Sequence, residues 1–302
     1  MIYRPGNPGT GSLLVISGAA LFGTVGTARL LGPAAPAVSV SAVRLALAAA
    51  VLLVLAGMHG AAPLVAASRL PAVGVAGVAQ AAFNVTFFGA VTRSGVALGT
   101  LVAIGCTPVL TGLIAGRVTR AWAMATGLAL VGLAALLSGD LGNGATISGL
   151  LFALGASASY AIFITASSAL ASSPVAMPAK LAAIFVVAAV SLSPALFVSE
   201  LEWVTTAGGF GMVLYLAVAA TVLAYNLFNR GLRTVEPRTA ATLALVEPLV
   251  AALLGVVVLS EQLSPLSWLG AGVVLVALLL MVRVAAPELA QSSAPPTGHP
   301  SR

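Results

Sequence analysis

Charge is what this chain lacks. Only 7% of its residues are Asp, Glu, Lys or Arg, where a water-soluble domain needs roughly a quarter to cover its surface. That scarcity excludes a soluble globule. Lysine is rarer still. Lys180 is the only one, and Pro178-Ala179 precede it, so the chain has no Gly-x-x-x-x-Gly-Lys phosphate loop and no means of hydrolysing ATP by that route. One cysteine, Cys106, lies in an apolar run, which excludes a disulfide framework. The two histidines, His59 and His299, have no His or Cys companions at metal-ligand spacing. Gly155-Ala156-Ser157-Ala158-Ser159 lacks the closing glycine of a nucleophile elbow. No catalytic residue, metal site or cofactor is therefore expected. The net charge of +6 comes from basic residues scattered over short loops, without a nucleic-acid-binding motif, so no nucleic-acid partner is expected.

What is present is hydrocarbon: 60% of residues are hydrophobic. They fall in blocks long enough to cross a bilayer core, which takes about 20 helical residues. Backbone groups there must satisfy one another. The short alternating segments of a transmembrane barrel are missing. The expectation is an all-α membrane protein with ten transmembrane helices, at about 13–31, 36–56, 70–91, 95–116, 121–138, 146–168, 179–199, 207–229, 237–259 and 263–284. The block Leu13–Leu31 follows Arg4 as a signal peptide would, but it is long for a cleaved segment, and we read it as a retained first helix.

Basic residues set the orientation. With the N-terminus in the cytoplasm, inside segments hold Arg4, Arg69, Arg117, Arg120, Arg230, Arg233, Arg238, Arg283 and Arg302. Outside segments hold Arg29 and Arg93 with Asp140, Glu200, Glu202 and Glu261. This positive-inside bias predicts a multi-pass protein of the cytoplasmic (inner) membrane with both termini cytoplasmic.

The chain also repeats itself. Gly89-Ala90-Val91-Thr92-Arg93 onward to Pro108 aligns without a gap to Asn229-Arg230-Gly231-Leu232-Arg233 onward to Pro248. An odd number of spans per copy inverts one copy relative to the other, as in secondary transporters. The expected organisation is a cytoplasmic N-terminus (1–12), a first five-helix repeat (13–138), a second (146–284) and a disordered cytoplasmic tail (285–302). The copies meet near Asp140–Ala145, and Arg44 and Lys180 hold similar places in them.

The block Val246-Glu247-Pro248 through Gly255, followed by Glu261-Gln262-Leu263-Ser264-Pro265-Leu266-Ser267-Trp268-Leu269-Gly270, resembles the end of an EamA-type domain of the drug/metabolite transporter superfamily. In the first copy Thr107-Pro108 replaces Glu-Pro, and Arg117-Val118-Thr119-Arg120 replaces the acidic turn. Arg44, in Ala42-Val43-Arg44-Leu45, resembles the arginine often seen in the family's second helix. The resemblance implies a ten-helix, two-domain exporter-like fold with a central cavity. It does not imply one substrate, since the family moves amino acids, nucleosides, metabolites and drugs.

Glu247 is the most informative residue. It lies about 11 residues into its span, roughly 16 Å deep, where a charge costs at least ~2.5–3.5 kcal/mol. Protonation, a basic partner or a wet cavity lowers that cost. Two readings stand: a proton-coupling or substrate-amine site, and a hydrogen-bonded carboxyl that locks helices together. Arg44 is also deep in its span. It either snorkels outward, or binds an anionic group or offsets Glu247. Pro248 and Pro108 would free the carbonyls of Ala244 and Ile104, as paired helix breaks or as ordinary membrane prolines. Gln80 and Asn84 share one helix face, as do Thr221 and Tyr225 with Asn226 and Asn229 following. Such faces suit a cavity wall or interhelical hydrogen bonds; the cavity is favoured for Gln80 and Asn84, and helix–helix bonding for Asn229. Phe22 and Tyr160 stand at equivalent positions in spans one and six, where packing is favoured over lining. Gly18, Gly23, Gly127 and Gly132 fit close helix packing.

The sequence thus predicts a secondary active transporter exporting a small metabolite, amino acid or drug-like compound by alternating access. Its partners would be that solute, the lipid bilayer and, through Glu247, protons in antiport. The rivals are a lipid-linked intermediate flippase, an integral membrane enzyme and a non-transporting membrane subunit. Substrate, direction, coupling ion and oligomeric state are left open.

Overall fold

A computed structural model describes residues 8–58, 60–116, 118–138 and 146–292. Expectations that fall on residues 1–7, His59, Arg117, the repeat junction at 139–145 and residues 293–302 lie outside the described residues. The described chain is helical throughout: α1 Pro8–Leu31, α2 Ala37–Gly57, α3 Ala61–Ser68, α4 Pro71–Ser94, α5 Val96–Ala115, α6 Arg120–Leu136, α7 Ile147–Ala171, α8 Met177–Leu192, α9 Pro194–Val198, α10 Ala207–Ala217, α11 Ala224–Gly231, α12 Pro237–Leu243, α13 Val246–Leu259 and α14 Pro265–Ser292. A π-helical stretch, Val218–Leu223, joins α10 to α11 in one continuous run.

Among the described residues, nine helical segments are long and apolar enough to cross a membrane. Three are composite: α8 with α9 (Met177–Val198), α10 with the π stretch and α11 (Ala207–Gly231), and α12 with α13 (Pro237–Leu259). The segment expected at 121–138 is α6, apolar but only 17 residues long. The chain is a membrane protein, and its outer surface agrees with that solvent: Leu113, Val131, Leu269 and Leu279 are each more than half exposed.

Local chemistry sets the helix ends. Proline at a first position, which needs no N–H there, opens α4 and α12. Thr119, Thr146 and Thr206 accept from backbone N–H groups at the starts of α6, α7 and α10. Gly116 closes α5 in the left-handed region, at φ 66°, with its N–H on Gly112 O and Leu113 O. α14 continues past the membrane-crossing stretch Pro265–Arg283, as far as Ser292. Ala285, Ala286, Leu289, Ala290 and Gln291 are strong helix formers that suit such an extension of the helix.

Helix partners follow a paired pattern. α1 packs on α11 and on α13, while α7 packs on α4 and on α5. α2 lies against α8, α6 against α14, and α5 against α12. Small residues allow the closest approaches. A Cβ on Gly23 of α1 would stand 2.5 Å from Glu247 O of α13. On the α6–α14 seam, a Cβ on Gly132 would stand 2.7 Å from Val274 N, and one on Gly270 would meet Leu136 N. Gly127 faces open space instead.

Candidate functional site

A cavity of about 320 Å³ lies inside the bundle. It is lined by the end of α1, the start of α2, the second half of α4 and the first residues of α5, with further residues from α7, the α10–α11 run and α13. Its walls are mostly apolar and aromatic, with Phe83, Phe87, Phe88 and Val91 from α4. Its polar groups converge from seven helices.

Arg44 reaches the cavity from α2, and Nη2 donates to Asn84 Oδ1 of α4 at 2.8 Å. Asn84 Nδ2 donates back to Gln80 O, also at 2.8 Å. Gln80 and Asn84, one turn apart, thus present a single buried polar edge. Arg44 is held by a neutral amide, which leaves its positive charge uncompensated by that bond. Glu247 lines the same cavity from the start of α13. It makes no ion pair with Arg44: no nitrogen–oxygen contact between them falls within 4.0 Å. A cation and a carboxyl group therefore face one space without closing on each other.

The backbone at Glu247 is broken. α12 ends at Leu243, Ala244 and Leu245 form a turn, and α13 resumes at Val246. Pro248 has no N–H to offer Ala244 O, and Glu247 N takes that carbonyl instead at 2.9 Å, three residues along. Pro248 itself lines the cavity. Pro108 does not. It sits buried inside a continuous α5, where the Thr107 and Thr111 hydroxyls donate to the carbonyls of Ala103 and Thr107 at 2.8 and 2.7 Å.

Tyr225 lines the cavity, with its ring against Phe22 (4.7 Å between centroids), Phe185 (4.9 Å) and Phe163 (5.3 Å). Phe83 and Tyr160 lie beside them, tilted by 40° with centroids 5.2 Å apart. Together these rings form a floor. Tyr160 and Phe22 thus both pack and line. Asn226 is not among the lining residues; Nδ2 donates to Val222 O at 3.2 Å. Asn229 donates to Tyr225 O at 3.0 Å and Thr221 to Leu216 O at 2.7 Å, so both serve the backbone. The reading from sequence used Arg29 only for orientation, yet it lines the cavity and donates to Ala35 O at 2.9 Å. Its signal was available: Phe22, Gly26 and Arg29 are spaced as one face of α1. Ser41 and Thr100 were missed because short hydroxyls are common in membrane helices.

A multi-span helical bundle with polar groups converging on an internal cavity has the form of a membrane transporter. Comparison with known proteins agrees. The EamA-like transporter family matches residues 147–283. The uncharacterized transporter YwfM of Bacillus subtilis (strain 168) is 37% identical over 276 residues, 89% of this chain and 93% of that protein. The threonine/homoserine exporter RhtA of Escherichia coli (strain K12) is 30% identical over 271 residues, 88% of each. A solved crystal structure shares the fold, with a TM-score of 0.77 at 18% identity over 91% of this chain and 98% of that one. The chain belongs to the EamA-like transporter family. It is a transporter, not an enzyme.

Proposed function

We propose that this chain is a secondary active exporter of a small amphipathic solute bearing both a carboxylate and an amine, with free amino acids such as threonine and homoserine the first candidates. The observation that carries the reading is the placing of Arg44 and Glu247 on one cavity without an ion pair between them. A zwitterion fits between such groups, its carboxylate toward Arg44 and its ammonium toward Glu247. The cavity volume, about 320 Å³, lies at the small end of ligand sites, roughly 300–1,000 Å³. The similarity to RhtA, an exporter of threonine and homoserine, supports the same class.

The transport cycle is alternating access between two inverted five-helix halves, with α6 as the fifth of ten spans. The paired packing supports this: exchanging the halves turns the α1 contacts with α11 and α13 into the α7 contacts with α4 and α5. With both termini cytoplasmic in the inner membrane, the cavity mouth faces outward. Glu247 couples the cycle to protons by exchanging one for the substrate amine, since a carboxyl at that depth is most stable neutral or paired.

The test is reconstitution in liposomes with an imposed pH gradient and radiolabelled threonine or homoserine. The intact chain should move solute against its gradient. Glu247→Gln should lose gradient-driven accumulation and keep solute-for-solute exchange. Full gradient-driven transport by the variant overturns proton coupling. No saturable movement of either solute, or of a wider amino-acid panel, overturns the substrate class.

A further inference from the structure

Hydroxyls on the far side of the aromatic floor are left without the partners that membrane helices ordinarily give them. A serine or threonine can return its hydrogen bond to the carbonyl one turn back, as Thr107 and Thr111 do. Ser167 of α7 and Thr239 of α12 do not. Each is 1% exposed, and each hydroxyl has no hydrogen-bond partner among the described residues. The Tyr160 hydroxyl, buried in the cavity floor, is in the same position. Burying an unpaired hydroxyl is costly. Three in one region call for a state of the protein in which they are solvated or bonded.

Their placement is ordered. Ser157, Tyr160 and Ser167 fall on one face of α7, three and seven residues apart. Tyr160 touches the cavity, and Ser167 lies near the opposite end of the helix. α7 packs on α5 and α12, and Ser157 Oγ meets Thr107 Oγ1 across the α5 seam at 3.3 Å. Thr239 lies on α12, the half of its span that leads away from the cavity. The two aligned prolines divide in the same way: Pro248 lines the cavity, and Pro108 is buried next to the Thr107–Ser157 contact.

We propose that the α7 face from Ser157 through Tyr160 to Ser167, with Thr107 and Thr239 opposite, is the second half of the translocation route. It opens to the membrane side opposite the cavity mouth and is closed here by the Thr107–Ser157 contact and the aromatic floor. The inference rests on the transporter reading above and adds the chemistry of the hidden half: a path edged by hydroxyls. Charged groups stand at its far end: Lys180 Nζ donates to Leu170 O of α7 at 2.6 Å, and Arg238, next to Thr239, pairs with Glu236 at 2.7 Å.

The test uses the fact that Cys106 is the only cysteine. In a Cys106→Ala chain, Ser167→Cys and Thr239→Cys are each combined with Thr100→Cys, which lies in the cavity wall. A membrane-impermeant methanethiosulfonate is applied to right-side-out or inverted vesicles, and labelled peptides are read by mass spectrometry. Position 100 should label from one side only, which also reports that the doubly substituted protein is folded. Positions 167 and 239 should label from the other side only. Adding Ser157→Ala, which removes one bond of about the ordinary net strength, should speed labelling at 167 about fivefold. Labelling at 100 without labelling at 167 and 239 from either side overturns the hidden route and leaves the cavity reading standing. Labelling of 167 and 239 from the same side as 100 also overturns it. No labelling at 100 overturns both readings.

Discussion

Arg44 Nη2 donates to Asn84 Oδ1 at 2.8 Å, tying α2 to α4 through a bond between a cation and a neutral amide. The amide fixes the guanidinium without cancelling its charge. Asn84→Asp keeps an acceptor at the same place and adds the missing negative charge. That variant should fold normally and lose affinity for a carboxylate-bearing solute by about tenfold or more, the scale of one charge-assisted hydrogen bond. Arg44→Ala should lose more. Concentration-dependent uptake in proteoliposomes measures both.

Gly23 and Gly26 lie three residues apart on α1 and should respond in opposite ways. A Cβ at 23 meets Glu247 O at 2.5 Å, whereas at 26 it meets nothing within 4 Å and enters the cavity. Gly23→Ala should cost about 1–3 kcal/mol of stability by pushing α13 away. Gly26→Leu should leave the melting temperature nearly unchanged and block transport by filling the site. Thermal unfolding in detergent, paired with uptake, separates the two.

The α6–α14 seam gives a similar contrast. Gly270 sits against Leu136 N, and Gly272 has open space around its Cβ position. Gly270→Leu should lower the melting temperature sharply, while Gly272→Leu should be neutral within about 0.5 kcal/mol.

Thr126 and Thr242 share a hydroxyl contact of 2.9 Å between α6 and α12. A double-mutant cycle with valine at both positions should return a coupling of about 0.6 kcal/mol, with about 1.7 as the upper bound for such bonds in membranes. A null coupling would mean that backbone carbonyls satisfy both hydroxyls.

Four polar lining residues were legible in the sequence for one reason: Arg44, Gln80, Asn84 and Glu247 interrupt hydrocarbon. In such a background a polar side chain must find a cavity or a partner, and these four share one cavity. Aromatic lining by Phe83, Phe87 and Phe88 was illegible, because the same residues in the same helix serve equally well facing lipid. The break before Glu247 could be read from Pro248, yet the same proline signal at 108 gave no break. Neighbouring threonine hydroxyls at 107 and 111 bond within that turn, and a proline alone does not reveal such support. Asn226 follows Tyr225 directly in the regular α11, where consecutive side chains diverge by about 100°, so adjacency alone does not bring it to the cavity.

That stretch, Val218–Leu223, bonds five residues back, as Thr221 does through its side chain to Leu216. Leu216 and Tyr225, nine residues apart, would stand on roughly opposite sides of a uniform 3.6-residue helix. The extra residue in the wide turn delays the rotation by about 100° and brings both to the cavity. Chain length here therefore acts as a dial. Excising one residue between 218 and 223 would leave composition, span and charge untouched, yet swing Tyr225 out of the chamber it helps to wall.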